Sequence, residues 1–218
     1  MSESLYAQLI SLTAGTLLLT AALIVWRRSL RASVRLLAIQ GIALAGLVAV
    51  LGWHERTIEL VLVSLLVLGL KAIVLPLVLS RNVLTHDDDR EVPRLNPTAS
   101  LIFAALLTML AYIVCRPWMG DTDDPTSRAV PIGIALVLIG FLLLITRRRA
   151  ASQLIGFLVL DNGIATVAFL TATGVPLIVE LGASLDVLLV VLILQVLTGR
   201  MQVKFGGTDL DDLTELKD

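Results

Sequence analysis

Seven long apolar stretches, separated by short charged or Pro- and Gly-containing connectors, constrain this chain more than any other feature. Each is close to the roughly 20 residues that a helix needs to cross the hydrocarbon core of a bilayer. Lipid offers no partners for backbone polar groups, so spanning segments of this length fold as helices. The expected fold is an all-α, polytopic membrane protein of about seven transmembrane helices. The predicted spans are Leu5–Trp26, Val34–Trp53, Thr57–Ser80, Ala99–Trp118, Val130–Thr146, Ser152–Thr173 and Pro176–Thr198.

Composition excludes most other classes of protein. Of 218 residues, 57% are hydrophobic and 16% charged, whereas about 25% is charged in ordinary soluble domains. Seven spans of about 20 residues leave fewer than roughly 80 residues for all loops and tails, so no soluble catalytic domain fits. A net charge of −1 excludes a basic nucleic-acid binder. Because Cys115 is the single cysteine, any redox centre is expected in partner subunits.

The chain divides into one transmembrane domain, residues 1–204, and a short tail, residues 205–218. Thr208 and Asp211 have the spacing of a helix capping box, and Leu210, Leu213 and Leu216 recur at every third position. This pattern predicts a short amphipathic helix in the tail.

The basic residues predict the orientation of the spans. Thirteen of the 17 Lys and Arg residues fall in alternate connectors and the tail, three fall on the opposite side, and Lys71 lies inside a span. Cytoplasmic loops carry the excess of Lys and Arg. The expected topology therefore has the N-terminus outside and the C-terminus in the cytoplasm, in a bacterial or archaeal plasma (inner) membrane.

Two acidic connectors and two isolated histidines offer no strong metal site. The runs Asp87–Glu91 and Asp121–Asp124 are expected to be solvated connectors, with a calcium site as the weaker alternative for the first. His54 and His86 lie at span edges without neighbouring ligands. No metal is therefore assigned.

The sequence also contains no internal repeat clear enough to indicate an inverted-repeat transporter.

Ionisable residues inside the spans are the candidate functional residues. A charge in the hydrocarbon costs about 2.5–3.5 kcal/mol on insertion scales, so such residues face protein or water and often mark ion pathways. Lys71, Asp161 and Asp186 lie well inside spans three, six and seven, and Glu59 and Glu180 lie near the outer ends of spans three and seven. These five form the candidate proton-transfer set.

Depth along the helices places two of these residues at the same level of the membrane, without deciding whether they pair. At a rise of about 1.5 Å per residue, Lys71 lies ~14 Å from Ser80, and Asp161 lies ~14 Å from Ser152. Asp186 lies ~18 Å from the end of its span. The match makes Lys71 and Asp161 a candidate ion pair near mid-membrane.

The neighbouring residues favour burial against other helices. Pro76 has no N–H and crowds the carbonyl of Ala72, so the turn beside Lys71 is expected to be kinked. The small or polar neighbours of the aspartates permit close helix packing. They are Asn162, Gly163, Ala165, Ala168 and Ala172 near Asp161, and Gly182 near Asp186.

A carboxyl group and an amine at these positions suit proton transfer. Low dielectric disfavours the charged form of either group, so each can change protonation where Ser, Asn or Gln cannot hold a charge. The alternative is structural: Lys71 forms a static salt bridge or extends along its stem to the interface, and the aspartates hold helices together.

Several segments of the chain resemble the hydrogenase-4 component E family. The resemblance is carried by Gln153–Gly163 (QLIGFLVLDNG), by Pro176–Asp186 (PLIVELGASLD), by Phe205–Lys217 and by Lys71–Pro76 (KAIVLP). Residues 153–204 are also similar to the K-type subunit of respiratory complex I. The family commonly has glutamate where this chain has Asp161, which keeps the acid on a shorter side chain.

The resemblance implies a non-catalytic membrane subunit of a complex-I-like oxidoreductase of the hydrogenase-4 or formate hydrogenlyase type. Its partners would be antiporter-like proton-pumping subunits, other membrane-arm subunits and a cytoplasmic hydrogenase arm. Nickel–iron and iron–sulfur centres would lie in those partners, with no cofactor in this chain. Two alternatives stay open: a subunit of a multisubunit cation/proton antiporter without a redox arm, and a stand-alone carrier.

Overall fold

The computed structural model describes residues 3–83, 95–119 and 124–171, which are almost entirely helical. Six helical runs in this part of the chain are long and apolar enough to cross a membrane, which confirms the all-α expectation for six of the seven predicted spans. The seventh, Pro176–Thr198, and the tail lie outside the described residues. The helices are α1 (Glu3–Trp26), α2 (Leu30–Glu55), α3 (Ile58–Val67), a π-helical segment (Leu68–Val74), α4 (Leu75–Val83), α5 (Pro97–Met119), α6 (Pro125–Thr146) and α7 (Ala150–Thr171).

Helix α6 begins five residues before the predicted span, because its first turn is capped. Asp124 is the N-cap, and Pro125 occupies the first helical position, where its missing N–H costs nothing. The Asp124 carboxylate accepts hydrogen bonds from the side chains and N–H groups of Thr126 and Ser127. Burial alone would raise the pKa of Asp124, but these bonds outweigh it and lower the pKa below its ordinary value.

Two helical hairpins, α1–α2 and α6–α7, form the centre of the bundle. Helix α1 packs against α6 and α2 against α7, while α5 lies against α1 and α6. Helices α3 and α4 and the π segment between them pack against α2. The interior is closely packed and mainly aliphatic, with Ile10, Leu17, Ile24, Leu44, Leu47, Leu136, Ile139, Leu143 and Leu158 fully buried.

Helices α6 and α7 approach backbone to backbone through four glycines. Gly133 and Gly140 on α6, and Gly156 and Gly163 on α7, are each seven residues apart. A Cβ atom on Gly140 would lie 2.6 Å from the backbone nitrogen of Leu160, and one on Gly163 would lie 2.9 Å from the Gly133 carbonyl oxygen. Only glycine fits at these contacts, as expected of small-residue interfaces between membrane helices.

The two hairpins are tied together at their loops by Arg147. Its side chain is buried, and its guanidinium donates hydrogen bonds to the carbonyl oxygens of Ile24 at 2.9 Å, Val25 at 3.3 Å and Arg27 at 3.0 Å. These carbonyls end α1, where the helix dipole is negative. The loops Arg27–Ser29 and Arg147–Arg149 therefore lie at the same end of the bundle.

The hairpins also match each other in sequence at the layer where they meet. Gln40–Ala43 on α2 reads Gln-Gly-Ile-Ala, and Asn162–Ala165 on α7 reads Asn-Gly-Ile-Ala. The two amides are hydrogen-bonded to each other, Asn162 Nδ2 to Gln40 Oε1 at 3.0 Å. A twofold exchange of the hairpins would preserve the α1–α6 and α2–α7 pairings. Because both loops share one end, the relation is parallel and does not create an inverted repeat.

Candidate functional site

Lys71 lies on the π-helical segment, where the backbone is wider than in an α-helix. The N–H of Leu75 donates to the carbonyl of Leu70, five residues earlier, and Pro76 follows with no N–H to donate. Where Pro76 predicts a kinked turn beside Lys71, the structure has a π-helical segment. Such segments occur frequently at functional sites.

Helix α2 supports Lys71 from behind through Gly41. A Cβ atom on Gly41 would lie 2.7 Å from both the carbonyl carbon and the carbonyl oxygen of Lys71, and 2.8 Å from the nitrogen of Ala72. The backbones of α2 and the π segment are therefore in direct contact. This contact fixes the position from which the lysine side chain extends.

Lys71 and Asp161 form an ion pair within the bundle. Lys71 Nζ lies 2.7 Å from Asp161 Oδ2, with 4% of the lysine and 18% of the aspartate side chain exposed. The sequence places the two residues at the same depth and leaves their pairing open, and the structure shows them in contact. Its length is that of a charge-assisted hydrogen bond. Pairing offsets the cost of holding either charge away from water.

A neutral hydrogen-bonded chain lies beside the ion pair and crosses three helices. Asn162 Nδ2 donates to Gln40 Oε1 at 3.0 Å, and Gln40 Nε2 donates to the Leu17 carbonyl oxygen at 3.2 Å. Gln40 is 0% exposed and Asn162 is 3% exposed. We call Leu17, Gln40, Lys71, Asp161 and Asn162 the polar layer.

Two threonine hydroxyls donate to backbone carbonyls of polar-layer residues and add no charge. Thr166 Oγ1 donates to the Asn162 carbonyl oxygen at 2.7 Å, and Thr20 Oγ1 donates to that of Leu17 at 2.9 Å. Each hydroxyl thus donates its hydrogen bond to a backbone carbonyl oxygen of its own helix. Within the layer, Lys71 and Asp161 are the residues that can carry charge.

The Lys71–Asp161 contact joins a proton donor, the ammonium, to a proton acceptor, the carboxylate. A proton passed from one to the other would leave a neutral amine and a carboxylic acid, so the contact has the groups that proton transfer needs. Asp161 is the more exposed partner, at 18% against 4% for Lys71.

Other predicted site residues lie apart from this layer or outside the described part. Glu59 is exposed in the first turn of α3, roughly 18 Å along the helix from Lys71. Asp186, Glu180 and Gly182 lie outside the described residues, so their place in the proton-transfer set stays a prediction.

The close approach of α6 to α7 uses glycines of both helices, while the predicted alanine stripe Ala165, Ala168 and Ala172 stays a prediction, with Ala172 outside the described residues. Gly163 contacts α6 directly, and Ala165 is buried, but Ala168 is partly exposed. Among the described residues, no three His, Cys, Asp or Glu side chains converge into a possible metal site. His54 stacks on Tyr6 with ring centroids 3.9 Å apart.

Sequence reasoning missed Gln40. The available signal was a lone amide in the middle of an otherwise apolar span, directly before Gly41. A buried amide requires hydrogen-bond partners, so it indicates a neighbouring polar group on another helix.

Comparison with known proteins gives relatives over the whole chain. The Mycobacterium tuberculosis (strain ATCC 25618 / H37Rv) protein named "Uncharacterized protein Rv0085" is 48% identical over 220 aligned residues, covering 100% of both chains. Hydrogenase-4 component E of Escherichia coli (strain K12) is 25% identical over 207 residues, 94% of this chain and 95% of that protein. The protein of the same name from Shigella flexneri gives the same values.

Two other comparisons give no match. No protein-family profile matches the sequence. No solved structure matches it either.

The chain belongs to the same family as Rv0085 and is a distant homologue of hydrogenase-4 component E along nearly its entire length.

Proposed function

We propose that this chain is a non-catalytic integral membrane subunit of a complex-I-like oxidoreductase complex of the hydrogenase-4 or formate hydrogenlyase type. In that role it contributes to proton translocation and to assembly of the membrane arm. The observation that carries the proposal is the Lys71–Asp161 ion pair inside the bundle of a homologue of hydrogenase-4 component E.

The energetic cost of the pair supports a functional role for it. Replacing a buried ion pair by well-packed apolar residues is often neutral or stabilising, so stability alone gives little reason to keep one. The π segment is already packed on α2 at Gly41, and α7 is already joined to α2 by the Gln40–Asn162 amide pair. A pair that can change its protonation state provides what those contacts cannot.

The proposed partners follow from the same relationship. Antiporter-like proton-pumping subunits and other membrane-arm subunits would lie beside this chain, and a cytoplasmic hydrogenase arm would hold the nickel–iron and iron–sulfur centres. Proton transfer would use Lys71 and Asp161, together with Asp186, Glu180 and Glu59. The loop end marked by Arg27–Ser29 and Arg147–Arg149 would face the cytoplasm.

Purification of the full chain from its native membrane in mild detergent tests the proposal. We expect a hydrogenase large subunit, an iron–sulfur protein and antiporter-like membrane subunits to co-purify and to be identified by mass spectrometry. A tagged membrane protein from the same host, of similar abundance, is the control for nonspecific capture. Recovery of antiporter-type subunits without any redox subunit, or of the chain alone, would contradict the proposal.

A further inference from the structure

Gln40 is a buried amide whose role the ion pair alone does not explain. Its NH₂ group donates a hydrogen bond to the Leu17 carbonyl on α1, and its oxygen accepts one from Asn162 on α7. The orientation of the amide is fixed by chemistry, because the Leu17 carbonyl only accepts and must therefore face the Gln40 NH₂ group. One side chain of α2 thus restrains two other helices.

The contact with Asn162 also determines where Asp161 points. The two residues are consecutive on α7, and successive helical residues project about 100° apart. Any rotation of α7 about its axis that moves Asp161 away from Lys71 also moves Asn162 relative to Gln40. The hydrogen bond between Asn162 and Gln40 therefore restrains the direction of the Asp161 side chain.

The next residue of α2 restrains the other half of the ion pair. Gly41 contacts the backbone of Lys71 so closely that a Cβ atom would lie 2.7 Å from its carbonyl group. Gln40 and Gly41 together therefore contact both elements that carry the pair. These two adjacent residues of α2 therefore hold the π segment and α7 at the separation that the Lys71–Asp161 contact requires.

We propose that Gln40 is a positioning residue that, through Asn162, sets the rotation of α7 at which Asp161 reaches Lys71. The glycine contacts between α6 and α7 permit close approach but have no side chains to fix rotation, whereas a hydrogen bond is directional. The importance of this positioning for proton transfer rests on the proposed function. The geometric statement stands on the contacts themselves.

Solid-state NMR of the full chain in lipid bilayers measures the pair directly. The sequence contains three lysines, so ¹⁵N labelling of lysine gives three Nζ signals, and Lys71→Met identifies the one of interest. Dipolar coupling between this nitrogen and the ¹³C-labelled aspartate carboxyl group reports the paired fraction. In Gln40→Leu we expect the ratio of paired to unpaired forms to fall about fivefold, as for loss of one buried hydrogen bond.

Two further variants separate positioning from general packing. Thr166→Val removes a fully buried hydroxyl on α7 without touching Gln40 and should leave the coupling unchanged. The double variant Gln40→Asn with Asn162→Gln shortens one amide side chain by a methylene and lengthens the other by the same amount. The hydrogen bond between positions 40 and 162 can then form again, so the dipolar coupling should be restored. If Gln40→Leu does not fold, Asn162→Leu replaces it, because leucine at position 162 cannot donate to Gln40 Oε1 and should give the same loss.

The outcomes distinguish this inference from the proposed function. Unchanged coupling in Gln40→Leu or in its replacement Asn162→Leu, or an equal loss in Thr166→Val, would overturn the positioning role whatever happens to proton movement. Loss of the coupling with normal coupled proton movement would support positioning and contradict the proposed function of the pair.

Discussion

At the scale of single residues, the ion pair lowers the free-energy cost of placing two charged side chains inside a membrane helix bundle. A lysine or an aspartate alone in a membrane helix would cost several kcal/mol. At 2.7 Å from each other, the two charges supply a counter-charge and a hydrogen bond in one contact. Each residue therefore depends on the other more than on any neighbouring apolar side chain.

This dependence predicts a non-additive double-mutant cycle. Lys71→Met leaves a buried carboxylate without its counter-charge and should destabilise the solubilised protein by a few kcal/mol. Adding Asp161→Asn removes the stranded charge, so the double variant should be milder than the sum of the singles by about 0.5–3 kcal/mol. Denaturant unfolding in detergent measures these free energies.

The matched control combines Lys71→Met with Thr166→Val, whose effects should add because Thr166 bonds only within its own helix. Strict additivity of the Lys71 and Asp161 variants would show that the two residues do not interact.

At the scale of helices, glycine position decides how closely the elements pack. In α6, Gly140 faces the Leu160 backbone, whereas Gly15 of α1 has no atom within 4 Å of where a Cβ would lie. Two glycines in similar helices are therefore predicted to respond oppositely to the same substitution.

Gly140→Ala should destabilise the protein by roughly 1–3 kcal/mol, because the added methyl group must displace a backbone. Gly15→Ala should be neutral or stabilising by about 0.5–1 kcal/mol, since alanine is the better helix former. Thermal unfolding of the two variants in one detergent compares them. Equal effects at both positions would contradict the backbone contact between α6 and α7.

Helical spans could be predicted from the apolar pattern, but the details of their ends and interruptions could not. Apolar length located six helices, while the extra turn of α6 depends on capping by Asp124, which hydropathy does not register. Pro76 predicted a kink in the turn beside Lys71, whereas the structure has a π-helical segment there. The equal depth of Lys71 and Asp161 could be predicted because depth along a helix follows directly from residue count, but their contact could not.

At the scale of the whole molecule, the contacts between the hairpins and between α2 and the π segment place the members of the polar layer. The lone amide of Gln40 indicates a polar neighbour, but which helices it joins could not be predicted, because hydropathy does not show which helix lies next to which. Arg147 was likewise counted as a loop residue that orients the chain. In the structure its buried guanidinium also joins α6 to the end of α1.

The central claim is that the Lys71–Asp161 pair transfers protons within a larger oxidoreductase complex. Proton movement across the membrane during the redox reaction of that complex tests this claim most directly. The measurement uses inside-out membrane vesicles containing the assembled complex, with a pH-sensitive dye as the reporter. Asp161→Asn keeps the size of the side chain but cannot exchange a proton, and Asp161→Glu keeps the acid. We predict full assembly of both variants, loss of coupled proton movement in Asp161→Asn, and its retention in Asp161→Glu. Normal coupled proton movement in Asp161→Asn would contradict the account and leave the pair with a packing role.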